Sequence, residues 1–183
     1  MDDELIIKRL QKGDKLAFDQ LYDKYKNEAL RTSFLITKNR ADSEDVVQQT
    51  FVKCYQTIKQ LKDPKKFKSW FFRILTRTAW EISSYNRKVQ PTCEFFDDSN
   101  MSEESALDTV IRSEQSRLIY SAVQNLEEKQ RIVIILYYYN QMSVKEIAQV
   151  LLVREGTVKS RLFSARKTLQ KQLTFTAQEG ILL

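Results

Sequence analysis

The side chains best suited to chemistry lie near the C-terminal end of the chain. Between Glu155 and Leu169, the residues Val158, Leu162, Ala165 and Leu169 recur at i, i+4, i+7 and i+11, which makes one buried stripe on a helix. The opposite face then carries Gly156, Lys159, Ser160, Phe163, Ser164 and Lys167, with Arg161 and Arg166 on its two flanks. Such a face suits a polyanion. Its first turn offers backbone N–H groups to a phosphate, its cations neutralise phosphates, and Phe163 can pack on a thymine methyl. Just upstream, Ser143 and Glu146 stand at the spacing of a capping box, so a first helix is expected over Ser143–Val150. Helix, short turn, helix is the geometry that places a second helix in the DNA major groove. By periodicity alone, the same pattern also fits a solvated, lysine-rich face of a terminal helix.

A second cluster lies in the first half. From Lys62 to Lys88 there are eight basic residues against two acidic ones, Asp63 and Glu81, interleaved with Phe67, Trp70, Phe71, Phe72, Trp80 and Tyr85. Phosphate neutralisation with base stacking on aromatics is what single-stranded DNA binding requires. Aromatics at helical spacing also build cores, and Trp70, Phe71 and Ile74 are expected to be packed. A third cluster is predicted on a helix over about 44–58. There Val47, Phe51, Cys54 and Ile58 form a core stripe, and Asp45, Gln48, Gln49 and Val52 lie on the far side. A polar face centred on an apolar residue suits docking of another helix, or simply solvent.

The elements that position these clusters are helical. Only 3 Gly and 2 Pro occur in 183 residues, 30% of which are charged, so the turn signals of a many-stranded protein are missing. The expected fold is all-α, in two small helical domains: an N-terminal one over 1–90 with four or so helices, and a C-terminal one over 109–173 with four, ending in the helix-turn-helix. Asp42 or Ser43 is expected to cap the 44–58 helix, and Pro64 to mark the start of the next. Between the domains, Glu94, Asp97, Asp98, Glu103, Glu104 and Asp108 fall in a stretch without Lys or Arg that also holds Pro91. Residues 91–108 therefore read as an acidic linker, with the domains moving independently in the free protein. Residues 174–183 form a tail without strong signal.

Composition excludes several kinds of chemistry. With no histidine, His-based zinc sites, Ser-His-Asp triads and Cys-His pairs are ruled out. Cys54 and Cys93 suggest neither a disulfide framework nor a metal site. No Gly-rich phosphate loop occurs, and no cofactor or small-molecule substrate is expected. The longest apolar run, Ile132 to Tyr139, is too short to span a bilayer, and Met-Asp-Asp-Glu is acidic where a signal peptide is basic; a cytoplasmic location is expected. The formal charge of +6 suits a polyanionic partner.

Longer strings carry a resemblance. Leu126-Glu-Glu-Lys-Gln-Arg131, then Ser143-Val-Lys-Glu-Ile-Ala148, then Glu155-Gly-Thr-Val-Lys-Ser-Arg-Leu162 with Ala165-Arg166, resemble the fourth conserved region of extracytoplasmic-function sigma factors of bacterial RNA polymerase. Ala41-Asp-Ser-Glu-Asp-Val-Val-Gln-Gln-Thr-Phe51 resembles the family's second region, and so does Lys66-Phe-Lys-Ser-Trp-Phe-Phe-Arg-Ile74. The resemblance spans about residues 5 to 171. It implies an alternative sigma factor, not an enzyme, that binds core polymerase and directs promoter-specific initiation. It places Glu44, Asp45, Gln48, Gln49 and Val52 against the clamp helices of the β′ subunit, and the C-terminal domain against the flap of the β subunit. It assigns the melted minus-ten element to Lys66, Lys68, Arg73, Arg77 and Trp80. It assigns the minus-thirty-five element to Arg154, Thr157, Lys159, Ser160, Arg161, Phe163 and Arg166. An anti-sigma factor, often membrane-anchored in the family, is a further implied partner, and the linker is expected to thread the RNA exit path.

Departures from the family pattern are specific. Glu127 stands where Pro is usual, Leu152 where the turn usually has Gly, Ser164 where Arg is common, and Thr76-Arg77 where Arg-Asn is common. Two other readings fit parts of the sequence. A stand-alone helix-turn-helix regulator accounts for Glu155 to Arg166 but leaves the Glu44 to Phe51 string unexplained, and a helical adaptor that binds protein only would not be retained on promoter DNA with polymerase.

Overall fold

A computed structural model describes residues 3–89 and 114–179; the acidic linker lies outside them. Every regular element among the described residues is helical. Four helices form the N-terminal unit: α1 (Asp3–Gln11), α2 (Lys15–Thr37), α3 (Arg40–Thr57) and α4 (Phe67–Val89). Four more form the second: α5 (Glu114–Gln124), α6 (Glu128–Ile134), α7 (Val144–Leu151) and α8 (Glu155–Glu179). The last helix thus continues past Leu173, where the periodic pattern fades.

Local sequence sets the helix ends. Asp14 caps α2, accepting from the amides of Leu16 and Ala17, and Arg9 beside it holds its carboxyl below the usual aspartate value. α3 begins earlier than periodicity suggests. Its cap is Asn39, whose side chain accepts from Asp42 N–H at 2.9 Å, rather than Asp42 or Ser43. Ser43 is fully buried, and its hydroxyl donates to the Asn39 carbonyl instead. Asn39 followed three residues later by Asp42 is itself an N-terminal signal. The expected capping box of α7 forms: Ser143 N–H donates to Glu146 Oε2 at 2.8 Å, and Glu146 N–H donates to Ser143 Oγ at 3.3 Å.

The aromatic run of α4 divides between core and surface. Phe67, Phe71 and Phe72 are buried completely. The Phe71 ring meets Phe51 at 5.1 Å, Tyr25 at 5.5 Å and Phe72 at 5.5 Å, so α2, α3 and α4 converge on it. Full burial of such a ring contributes about 2–3 kcal/mol. The stripe Val47, Phe51, Cys54 and Ile58 is buried as its period requires. Burial also pushes the Cys54 thiol up to about 12, which leaves it without thiolate character at neutral pH.

The two units do not stand apart as the sequence suggests. α7 packs along α4, and α2 meets α6 and the π-helical turn Ile135–Tyr139 that follows it. The buried side chains of both units join in one cluster. Independent motion was expected from the linker's composition, but contact between the units depends on helix ends and side chains far apart in the chain.

Candidate nucleic-acid and polymerase interfaces

α2 and α3 frame an open groove of about 410 Å³, lined by Phe18, Tyr22, Lys26, Asn27, Leu30, Glu44, Val47, Gln48, Phe51 and Val52. Glu44, Gln48 and Val52 follow i, i+4, i+8 and form one wall; Asp45 and Gln49 are exposed on the adjacent row. The opposite wall escaped the sequence reading because it belongs to another helix. Tyr22 there is 41% exposed, and Lys26 Nζ sits 5.5 Å from its ring centroid. Val52 at 49% exposure and Tyr55 at 46% add apolar area beside the groove. An apolar floor with polar walls fits the side of a helix.

The residues of α4 are placed less uniformly. Lys66 is exposed and pairs loosely with Asp63, at 3.9 Å. Arg73 is half-buried, and Trp80 is half-buried against the core. Arg77 is exposed and donates to Glu81 at 3.1 Å. Although partial burial raises it, Glu81 is held below the usual glutamate value by Lys53 and Arg77. Tyr85, 68% exposed, is a stacking candidate that the assignments above did not include. Lys68 differs from the rest: its ammonium is held between the two units, donating to the Asn140 carbonyl of the second at 2.9 Å and pairing with Glu28 of α2 at 3.1 Å.

In the second unit, α7, a tight turn and α8 form the helix-turn-helix. Leu152 occupies the turn in the left-handed conformation, with φ of 54° and its side chain 74% exposed. Its position thus keeps the geometry that glycine supplies more easily. Glu127 caps α6 with φ of −53°, within the range a proline ring sets, so its departure leaves the local path unchanged. Val158, Leu162 and Ala165 are buried, while Lys159, Ser160 and Phe163 face outward, Phe163 at 70% exposure. Arg154 is exposed ahead of the helix; Thr157 and Arg161 are half-buried. Ser160 Oγ donates to the Thr157 carbonyl at 3.0 Å. Arg166 is exposed too, but it is held by tyrosines of the π-helical turn. Among the described residues no helix is long and apolar enough to cross a membrane, and no group of acidic or thiol side chains is arranged to hold a metal.

Residues 21–84 match the family Sigma-70 region 2, and residues 116–169 match Sigma-70, region 4. Those two regions, in that order on two helical units, define a sigma-type transcription initiation factor. The ECF RNA polymerase sigma factor SigW of Bacillus subtilis (strain 168) is 30% identical over 181 residues, covering 91% of this chain and 94% of that protein. The ECF RNA polymerase sigma-E factor of Haemophilus influenzae is 29% identical, covering 94% of this chain and 96% of that one. The chain belongs to the extracytoplasmic-function sigma factors: it is an alternative sigma factor that directs promoter-specific transcription, and its family is one of initiation factors rather than enzymes. The fold is shared with CnrH, solved in complex with the cytosolic domain of CnrY, at a TM-score of 0.71, 23% identity and coverage of 94% of this chain and 97% of CnrH. It is shared as well with the sigma factor RpoE in complex with the anti-sigma factor NepR from Bartonella quintana, at a TM-score of 0.68, 24% identity and coverage of 86% and 96%.

Proposed function

We propose that three separate faces divide the work of initiation. The α2–α3 groove, with Glu44, Gln48 and Val52 on its wall and Asp45 and Gln49 beside it, receives the clamp helices of the polymerase β′ subunit. The α4 face, with Lys66, Lys68, Arg73, Arg77 and Trp80, holds the melted minus-ten strand; Tyr85 extends it as a stacking platform. The outward face of α8, with Lys159, Ser160, Arg161, Phe163 and Arg166 and the flanking Arg154 and Thr157, reads the minus-thirty-five element. The C-terminal unit rests on the β flap. Residues 1–90 and 109–173 are the two domains, and the linker at 91–108 spans between them along the RNA exit path.

The observation that carries this reading is the exposed α8 face over a buried Val158, Leu162 and Ala165 stripe, at the end of a capped helix-turn-helix. Its working place is the cytoplasm, where polymerase and promoters are. An anti-sigma factor is a fitting regulator, since the sigma factor RpoE, which shares this fold, is solved in complex with the anti-sigma factor NepR. Runoff transcription with purified core polymerase on genomic promoter fragments tests the whole assignment. Initiation at discrete sites that requires both the chain and core polymerase is the expected result; retention of the chain on DNA without core dependence would favour a stand-alone regulator.

A further inference from the structure

The last residue of α1 holds the end of α3. Gln11 donates from Nε2 to the Ile58 carbonyl at 3.0 Å and to the Leu61 carbonyl at 2.7 Å, 47 and 50 positions further along the chain. A side-chain amide nitrogen has two hydrogens, so each carbonyl takes one. Both carbonyls lie where α3 gives way to a single 3-10 turn, Ile58–Gln60, and a helix end leaves such groups without partners. Ile58 is 2% exposed and Leu61 6%, so little water reaches the backbone there. Further on, Asp63 accepts from Lys65 N–H at 3.1 Å, and Pro64 opens a second 3-10 turn, Pro64–Lys66, that leads into α4. α1 packs against both turns. The path of residues 58–66 is therefore set from α1 as well as by the loop's own caps.

We propose that Gln11 is a positioning residue for minus-ten recognition. The proposal rests on the reading of α4 as the minus-ten face. The 58–66 loop and α4 line a groove of about 380 Å³, to which the loop contributes Lys62 and Lys66, and α4 contributes Trp70 and Arg73; Gln149 of α7 lines it as well. Lys62 and Lys66 are exposed, Trp70 and Arg73 half-buried. Cations around an indole suit an unpaired strand, whose phosphates they neutralise and whose bases the ring can stack. The two lysines reach their places only if the loop keeps its path, and α4 alone does not fix it. Gln11 does so without touching DNA, because its two donors draw the Ile58 and Leu61 carbonyls to one nitrogen. Without those bonds, binding must include the cost of ordering the loop, and the groove no longer presents one shape to the bases beside it.

Gln11→Met keeps the length and bulk of the side chain and removes both donors. The full chain, assembled with core polymerase, is titrated with fork-junction promoter DNA whose minus-ten strand is unpaired, each unpaired base being replaced in turn. Affinity should fall by about three- to tenfold, as the loss of a hydrogen bond or two predicts. Discrimination should relax at the bases beside the groove, while the other positions keep their preferences and capture of core polymerase is unchanged. A fall that is equal at every base, with all preferences intact, would show that Gln11 serves stability alone and would overturn the proposal. Unchanged affinity and preference would overturn it too. Arg73→Ala in the same titration separates the two levels. If it weakens binding while Gln11→Met does not, the role of Gln11 falls and the α4 reading stands; if it also changes nothing, the α4 reading falls with it. Should circular dichroism show Gln11→Met unfolded, Gln11→Asn decides. It keeps the amide on a stem one methylene shorter, so the same relaxed preference is expected, and wild-type discrimination overturns the proposal.

Discussion

Arg166 Nε donates to Tyr138 Oη at 2.9 Å, joining the DNA-reading helix to the π-helical turn of the same unit. The guanidinium lies 5.3 Å from the Tyr137 ring centroid and 5.6 Å from that of Tyr138. The hydrogen bond that Tyr138 accepts pushes the arginine further from neutrality. Two rings and a hydroxyl so placed order a long side chain before it meets DNA.

Tyr138→Phe keeps the ring and removes the hydroxyl, so promoter affinity should fall by about 0.5–1.5 kcal/mol. Arg166→Ala should lower the salt dependence of binding by about one unit of slope if the contact is to phosphate. A double-mutant cycle checks the link between them: a coupling near zero would mean that Tyr138 acts independently of Arg166.

Lys159→Ala and Arg161→Ala should separate base reading from phosphate contact. Loss of a base contact should cost about 1–3 kcal/mol and relax preference at one base pair. Loss of a phosphate contact should weaken all sequences alike and flatten the salt dependence. Binding titrations on a promoter series at several salt concentrations read both; two unaltered variants would remove the outward face of α8 from the interface.

Asp45→Arg and Gln48→Ala alter exposed positions beside and on the wall of the α2–α3 groove. Both should reduce capture of core polymerase while the helical circular-dichroism signal and melting temperature stay as in wild type. Tyr22→Ala on the opposite wall should act the same way, because the groove is built from two helices. Full capture by all three would exclude the groove as the docking face.

Leu152→Gly should stabilise the chain. A left-handed conformation costs a non-glycine residue about 1–2 kcal/mol, and glycine recovers part of this while losing more entropy on folding. A net gain of about 0.5–1 kcal/mol corresponds to a rise of about 1–4 °C in melting temperature. A fall would mean that the exposed leucine makes contacts worth more than the strain.

Much of the fold and of the interfaces was legible because helical periodicity is a local property. The Val47, Phe51, Cys54, Ile58 stripe and the Val158, Leu162, Ala165 stripe are buried as their spacing requires, and Ser143 and Glu146 form their capping box. The faces opposite those stripes are exposed for the same geometric reason. Where two readings shared one local pattern, sequence was weaker. Of the six aromatics of α4, Trp70 and Phe71 were expected to pack, yet Phe67 and Phe72 fill the core with Phe71, Trp70 is only half-buried and Tyr85 is exposed. The cap of α3 was misplaced because Asn39, Asp42 and Ser43 are all capping residue types within five positions, and only backbone geometry selects Asn39.

The sequence by itself determined an all-helical chain, a helix-turn-helix with a basic outward face, and strings specific enough to indicate a sigma factor, since each depends on residues within a turn or two of one another. Only the tertiary structure decided what meets across long separations. Tyr22 joined Val52 in one groove because α2 crosses α3, and Tyr138 took hold of Arg166 because the π-helical turn faces α8. Lys68, expected at the minus-ten DNA, is held by Glu28 and Asn140. Such contacts follow from which helix ends and buried polar groups find partners when two units pack together, and no local spacing encodes that choice.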